Sequence, residues 1–289
     1  MERIFIRPHS LAEALAAMER DGAVALAGGT DLLVAWRELT EEEKPAVIVD
    51  LTALDELKQV EHIPGSIRVG ALCTYRDLAG NALLPERLPV LAEGAFSVGS
   101  PQIRNRGTVG GSLGNASPAA DLAPVWILLD AVMEVAGGGK TREIPAGEFL
   151  KGYGKNALEP GELITHVRIP LPAEASTWSF VKVGRRNAGA IARLNGACRM
   201  VLRDGVIREL RLVIGAATPT PLDMKESAGQ LLGRPADPEE FRRVGKEVVD
   251  RVKEISGVRA SARWKFPAVE NIAVRLLMEA AGLGGAENE

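Results

Sequence analysis

The chain is poor in the residues that carry metal and redox chemistry unaided. Of its 289 residues, two are cysteine and three are histidine. Cys73 and Cys198 are far apart, each within an apolar, strand-like run. Two cysteines offer no grouped ligands for zinc or an iron–sulfur cluster, and a structural disulfide is not expected in a reducing compartment. His9, His62 and His166 are scattered singly and read as surface or packing residues rather than as ligands or bases. No apolar run approaches the roughly 20 residues of a membrane span. The opening residues show no basic stretch followed by an apolar core, so no signal peptide is expected and a cytoplasmic location is the default. The formal net charge of −3 points to neither nucleic acid nor an anionic membrane as partner. The motif G-x-G-x-x-G is missing, and so is G-x-x-x-x-G-K-[ST], so a Walker-type triphosphate site is not supported. No catalytic triad or carboxylate dyad is evident.

What remains is ordinary globular composition, 46% hydrophobic and 25% charged, enough for a sizeable core. The first fifty residues alternate: "RIFI" as a strand, "SLAEALAAMER" as a helix with a capping-box pattern at Ser10 and Glu13, "AVALAGG" as a strand, "TDLLVAWREL" as a second helix, "PAVIVDL" as a strand. That order favours parallel pairing. A second unit follows, with a helix opened at Thr74, a helix in "LPVLAEGAFSVG", and strands in "VMEVAG" and "GELITHVRIP". The stretch "LPAEAST", residues 171–177, reads as a domain boundary. Beyond it, a three-stranded antiparallel meander with a turn at Asp204-Gly205 is predicted, then helices in "KESAGQLLG", "DPEEFRRVGKEVVDRVKEI" and "PAVENIAVRLLMEAAGLG". The last residues, "GGAENE", are expected to fray.

One stretch is built almost wholly of small residues: "TVGGSLGNASPAADLAP", residues 108–124. The reading is that Thr108 and Val109 end a strand, a glycine-rich turn follows, and Ser117 caps a helix with Pro118 at its first position. A helix start of that kind presents backbone N–H groups to an anion. Gly111 lets a ligand approach, and Ser112, Asn115 and Ser117 add short polar groups. A Gly-Gly turn packed for purely structural reasons is an equally good account of this stretch alone. A second element repeats the logic: "LAGGTDLL", with Gly28 and Gly29 between a strand and a helix and Thr30 beside them. Two such turns suit a ligand with two phosphates. Asp31 and Asp121 each sit in the first turn of a predicted helix, as caps or as partners of a ribityl, ribose or base group.

Together "AGGTDLL" and "IRNRGTVGGSLGNASPAADLAPV" resemble the FAD-binding medium subunit of the molybdenum hydroxylases, the family of xanthine dehydrogenase and aerobic carbon monoxide dehydrogenase. "FLKGYGKNALEPGELITHVRIP" and "SFVKVGRRNAGAIARLNGACRMVL" extend the resemblance over nearly the whole chain. It implies an α+β fold: two α/β subdomains forming an FAD-binding fold of the PCMH (vanillyl-alcohol-oxidase-like) type, at residues 1–57 and 58–172. An α+β C-terminal domain, a three-stranded antiparallel sheet plus helices, follows at residues 173–289. It implies FAD as cofactor and two partners, a molybdopterin-containing large subunit and a small subunit with two [2Fe–2S] clusters, in a dimer of heterotrimers. Electrons then pass from those clusters through FAD to an external acceptor. Carried over by position, Ala27, Gly28, Gly29, Thr30 and Asp31 form one set of contacts, and Thr108, Gly111, Ser112, Asn115 and Asp121 the other. Ile164 stands where the family packs an aliphatic residue on the isoalloxazine, and Lys182 where it places a lysine near the flavin. Tyr153 and Lys155 are expected near the ring's open face. Gly189 and Ala190 stand where many members carry an acidic residue. The alternatives are a stand-alone FAD-dependent oxidoreductase and a non-redox nucleotide-binding scaffold module.

Overall fold

The computed structural model describes residues 3–186, 189–258 and 262–284. Of the segment "RRNAGAIA", residues 187 and 188 lie outside the described residues, as does the expected frayed end from residue 285 on. The chain forms two compact units. The first takes in Met1–Ala82, Val98–Ser117 and Asp130–Leu171; the second takes in Leu83–Ser97, Pro118–Leu129 and Pro172–Glu289. Among the described residues no helix is long and apolar enough to cross a membrane.

The first unit opens with β1 (Ile4–Ile6), α1 (Leu11–Met18), β2 (Ala23–Leu26), α2 (Leu32–Ala35) and β3 (Val47–Asp50). The three strands are parallel in the order β1-β3-β2, as the alternation predicts. Ser10 caps α1 by accepting the Glu13 N–H. The Glu13 carboxylate accepts from the His9 N–H, one residue earlier than a closed capping box would have it. Ala14 and Ala17 then pack on Val47, Val49 and Leu51. The predicted helix after Thr30 is a single α turn, continued as a 3-10 turn over Trp36–Glu38. Its Asp31 side chain makes no capping bond and none of its residues is buried, so little packing supports a longer helix.

A five-stranded sheet follows, made of β4 (Val60–Ile63), β5 (Ser66–Gly70), β6 (Val132–Gly137), β7 (Lys140–Pro145) and β10 (Leu163–Pro170). It is antiparallel throughout, in the order β4-β5-β10-β6-β7. On it, the His166 side chain is largely buried, its Nδ1 3.8 Å from the Glu134 carboxylate. Burial first, and then the Arg68 charge, hold its pKa below the usual histidine range. The connections carry α3 (Tyr75–Ala79), α6 (Pro101–Arg104), α7 (Val109–Asn115), α9 (Ala146–Phe149) and a small hairpin, β8 (Leu150–Gly152) and β9 (Lys155–Asn156). A full capping box of Thr74 and Asp77 starts α3.

The second unit contains α4 (Leu84–Arg87), α5 (Pro89–Phe96) and α8 (Ala123–Leu128), then β11 (Thr177–Val183), β12 (Leu194–Arg203), β13 (Val206–Gly215) and β14 (Leu222–Asp223), then α10 (Lys225–Gly229), α11 (Pro238–Ser256) and α12 (Ala262–Ala280). The predicted meander is there as β11-β12-β13, and the two-residue β14 adds a fourth strand. Asp204 and Gly205 have φ values of 53° and 74°, the doubly positive turn that a two-residue hairpin favours. Helices α11 and α12 cover one face of the sheet, burying Val244, Val248, Val252, Ile272 and Leu276 against Cys198, Met200 and Leu212. Helices α5 and α8 pack on the same sheet. Helix α12 begins five residues before Pro267, where the sequence suggests its start. Phe266, in that added turn, packs on the core and offsets the hydrogen bond the proline removes.

Candidate functional site

In the first unit the loop from Ala27 to Asp31 leaves β2 and enters α2. Gly28 is pressed against the segment before α7: a Cβ there would stand 1.8 Å from the Arg106 carbonyl oxygen. Gly29 takes φ +69°, in the left-handed region glycine favours. The N–H groups of Gly28, Gly29, Thr30, Asp31 and Leu32 have no protein acceptor among the described residues. A contiguous run of free N–H groups favours an anion. Beside it opens a cleft of about 330 Å³, lined by Arg7, Ala27, Gly28, Asp50, Thr52 and Arg106, among others. Thr52 donates its N–H and hydroxyl to Asp50 Oδ1 at 3.0 and 2.6 Å, and Arg7 Nε lies 3.6 Å from Asp50 Oδ2. Arg106 is exposed, and its guanidinium has no partner among the described residues. Arg7, Asp50, Thr52 and Arg106 carry no individual signal in the linear sequence. The signal for three of them is topological: they follow or close parallel strands at the carboxyl end, where open α/β sheets bind ligands.

The small-residue stretch differs from its expected form. The helix does not begin at Ser117 and Pro118; it begins at Val109, capped by Thr108, and takes Gly110, Gly111 and Gly114 into its body. The next helix, α8, starts at Ala123 with Pro124 in its first turn, and its cap position is Leu122. The cause is close packing: a Cβ on Gly110 would lie 2.7 Å from the Ala71 Cβ. The N–H groups that begin α7 are already taken. Val109 donates to Cys73 O, Gly110 to Ala71 O, Gly111 to Thr108 Oγ1 and Ser112 to Thr108 O. This helix start therefore offers an anion no free N–H groups at its first four positions. What it retains for a ligand are the Ser112 hydroxyl and the Asn115 carboxamide. Thr108→Val removes the cap acceptor and should cost about 1 kcal/mol in urea denaturation; an unchanged midpoint would show that the cap contributes nothing.

The far end of α7 is tied to the β8–β9 hairpin. Gly154 donates to Ala116 O at 3.1 Å, and Asn156 Nδ2 donates to Gly114 O at 2.7 Å. That hairpin carries Lys155 and Tyr153, the latter 82% exposed. Ile164 is buried on β10, against which α7 packs. The ladder to β6 shifts between Ile164 and His166, and Leu163, Ile164 and Thr165 are consecutively buried, which strict alternation would not allow.

In the second unit Asp121 lies in the turn before α8 and Lys182 on β11. Lys182 Nζ donates to Asp121 Oδ2 at 2.6 Å and to Ser97 O at 2.9 Å. Both side chains are about nine-tenths buried. Burial raises the Asp121 pKa and outweighs the hydrogen bond and charge of Lys182, which lower it. Among the described residues, Asp121 Oδ1 is buried without a partner, and so is Asn195 Oδ1.

FAD brings a dianionic pyrophosphate and several O–H and N–H donors. The free N–H run with its arginine-lined cleft fits the former, and the unpartnered Asp121 oxygen fits the latter.

Comparison with known proteins agrees. A family described as the FAD binding domain in molybdopterin dehydrogenase matches residues 1–172, and one described as the CO dehydrogenase flavoprotein C-terminal domain matches residues 179–280. The nicotinate dehydrogenase FAD-subunit of Eubacterium barkeri is 30% identical over 283 residues, covering 95% of each chain. A chain of carbon monoxide dehydrogenase from Hydrogenophaga pseudoflava superposes with a TM-score of 0.89 at 26% identity, over 98% of each chain. A chain of quinoline 2-oxidoreductase from Pseudomonas putida 86 does so with 0.87, also at 26% identity and over 98% of each chain. The chain belongs to the family of FAD-binding medium subunits of the molybdenum hydroxylases.

Proposed function

We propose that this chain binds FAD within a molybdenum hydroxylase complex and carries electrons from partner [2Fe–2S] clusters to an external acceptor. The observation that carries the reading is the run of five unpartnered N–H groups from Gly28 to Leu32 beside Arg7 and Arg106. These groups hold the pyrophosphate, with Ala27 and Thr30 lining its approach. Ser112 and Asn115 serve as a second set of contacts through their side chains, beside Thr108 and Gly111, which form the start of α7. Asp31 is exposed at the mouth of α2 and is assigned to a hydroxyl of the cofactor. Asp121, Ile164 and Lys182 are assigned to its flavin end. Bound FAD supplies the electron-transfer chemistry; the chain's own residues bind it, orient it and set the local charge. A cation held beside a flavin favours its anionic reduced form, and Lys182 is held by two acceptors in a nearly dry setting. The partners are a molybdopterin-containing large subunit and a small iron–sulfur subunit, in a dimer of heterotrimers. The sequence domains we propose are 1–57, 58–172 and 173–289.

The test is the visible absorption spectrum of the purified chain, followed by denaturing extraction. Flavin bands and released FAD are expected. A colourless protein that also refuses added FAD would overturn the assignment and favour a scaffold role.

A further inference from the structure

Three residues of the second unit's sheet stand in one cross-strand row. Lys182 on β11 pairs with Asn195 on β12, and Asn195 pairs with Gly215 on β13. The row meets the turn at Ala120 and Asp121, and each member treats that turn differently. Lys182 grips the Asp121 carboxylate at 2.6 Å. Asn195 Nδ2 donates to the carbonyls of Ala120 at 3.1 Å and Asp121 at 3.4 Å. Gly215 supplies space: a Cβ there would lie 2.1 Å from Asn195 Oδ1 and 3.1 Å from the Pro124 ring. Asp121 is thus held at both ends, by its side chain and by its main chain.

Asn195 is fully buried, and its Oδ1 has no partner among the described residues. An apolar residue on a sheet core would avoid that desolvation cost. What the carboxamide does instead is fix the backbone of the turn from which Asp121 projects. We propose that Asn195, with Gly215 making room for it, is a positioning residue for the Asp121–Lys182 pair, and through that pair sets the affinity and potential of bound FAD. The proposal rests on the reading of this chain as an FAD-binding subunit.

The experiment is a double-mutant cycle on the purified full chain: wild type, Asn195→Ala, Asp121→Asn and both together. The FAD dissociation constant, from fluorescence titration of the apoprotein, and the midpoint potential of the bound flavin are read for each. Asn195→Ala is expected to weaken FAD binding about tenfold, the size of one lost hydrogen bond to a functional group. It should also move the potential in the same direction as Asp121→Asn. The double variant should be no worse than Asp121→Asn alone, because both act on one pair. Asn195→Ser carries the same cycle if the alanine variant does not fold. In a Gly215→Ala background, Asn195→Ala should restore thermal stability by removing the obstructing oxygen. Wild-type affinity and potential in the Asn195 variant, or effects that simply add to those of Asp121→Asn, would overturn the positioning role. A wild-type chain that takes up no FAD would overturn the functional reading itself, a separate result.

Discussion

A Gly28→Ala protein emerges from purification without flavin and is less stable than the wild type by about 3 kcal/mol or more. The added Cβ would sit 1.8 Å from the Arg106 carbonyl oxygen and 2.6 Å from its carbon. Both are backbone atoms, so no side chain can swing aside. Either the loop after β2 or the segment before α7 must move by more than an ångström. Moving the loop turns the N–H groups of residues 28–32 away from the cleft, so one displacement removes stability and anion binding together. Gly29→Ala is the milder comparison. Its Cβ would meet the Leu33 side chain at 2.9 Å, and its cost is mainly that of the left-handed backbone, about 1 kcal/mol. Urea denaturation and flavin content per chain measure both effects. A Gly28→Ala protein that keeps its FAD and unfolds within about 0.5 kcal/mol of wild type, in the range of an ordinary surface change, would show that this close approach does not hold the loop.

Lys182→Met should destabilise the chain by about 3–5 kcal/mol near neutral pH, because it strands a buried carboxylate. The loss should shrink in acid. With the cation gone, the Asp121 pKa in the folded chain rises further above its unfolded value, in the direction burial already pushes it. A group with a raised folded pKa contributes its full stability below the unfolded pKa and loses it as pH climbs through the folded one. The deficit of the variant is therefore small below the carboxylate range and grows toward neutral pH. Urea unfolding of both proteins at about pH 4 and about pH 8 reads the difference. Equal deficits at the two values would mean that Asp121 does not depend on Lys182 for its charge. Asp121→Asn in the Lys182→Met background should recover much of the loss, since it removes the stranded charge.

The parallel sheet of the first unit could be read in advance because its strands are short apolar runs ended by glycine or acid, and α1 carries its own cap at Ser10. Asp204-Gly205 and the long amphipathic α11 were legible for similar local reasons. Helix α7 was not. Gly110, Gly111 and Gly114 are poor helix formers, so propensity favours a turn. The packing of Gly110 on Ala71, nearly forty residues away in sequence, decides otherwise. The two residues of β14 are too few to show alternation. In the candidate site, Gly28, Gly29 and Asp121 carry a pattern that can be seen in the linear sequence, and Lys182 is reached only through the family resemblance. Arg7, Asp50 and Arg106 do not, because only the strand order β1-β3-β2 and the loop before α7 bring them to one cleft. Asn195 had no signal at all: its partner carbonyls lie 74 and 75 positions away.

The assembly of the second unit from three separated chain segments bears on how the protein is made. Helices α5 and α8 leave the ribosome well before β11, β12 and β13, the strands they pack on. Until those strands follow, these two helices have no sheet to pack on. The first unit is also interrupted twice while these helices are synthesised. Ordering such distant contacts carries a loop-closure cost that local helices do not. Helices α5 and α8 therefore keep apolar surface exposed in the nascent chain until synthesis passes Gly215.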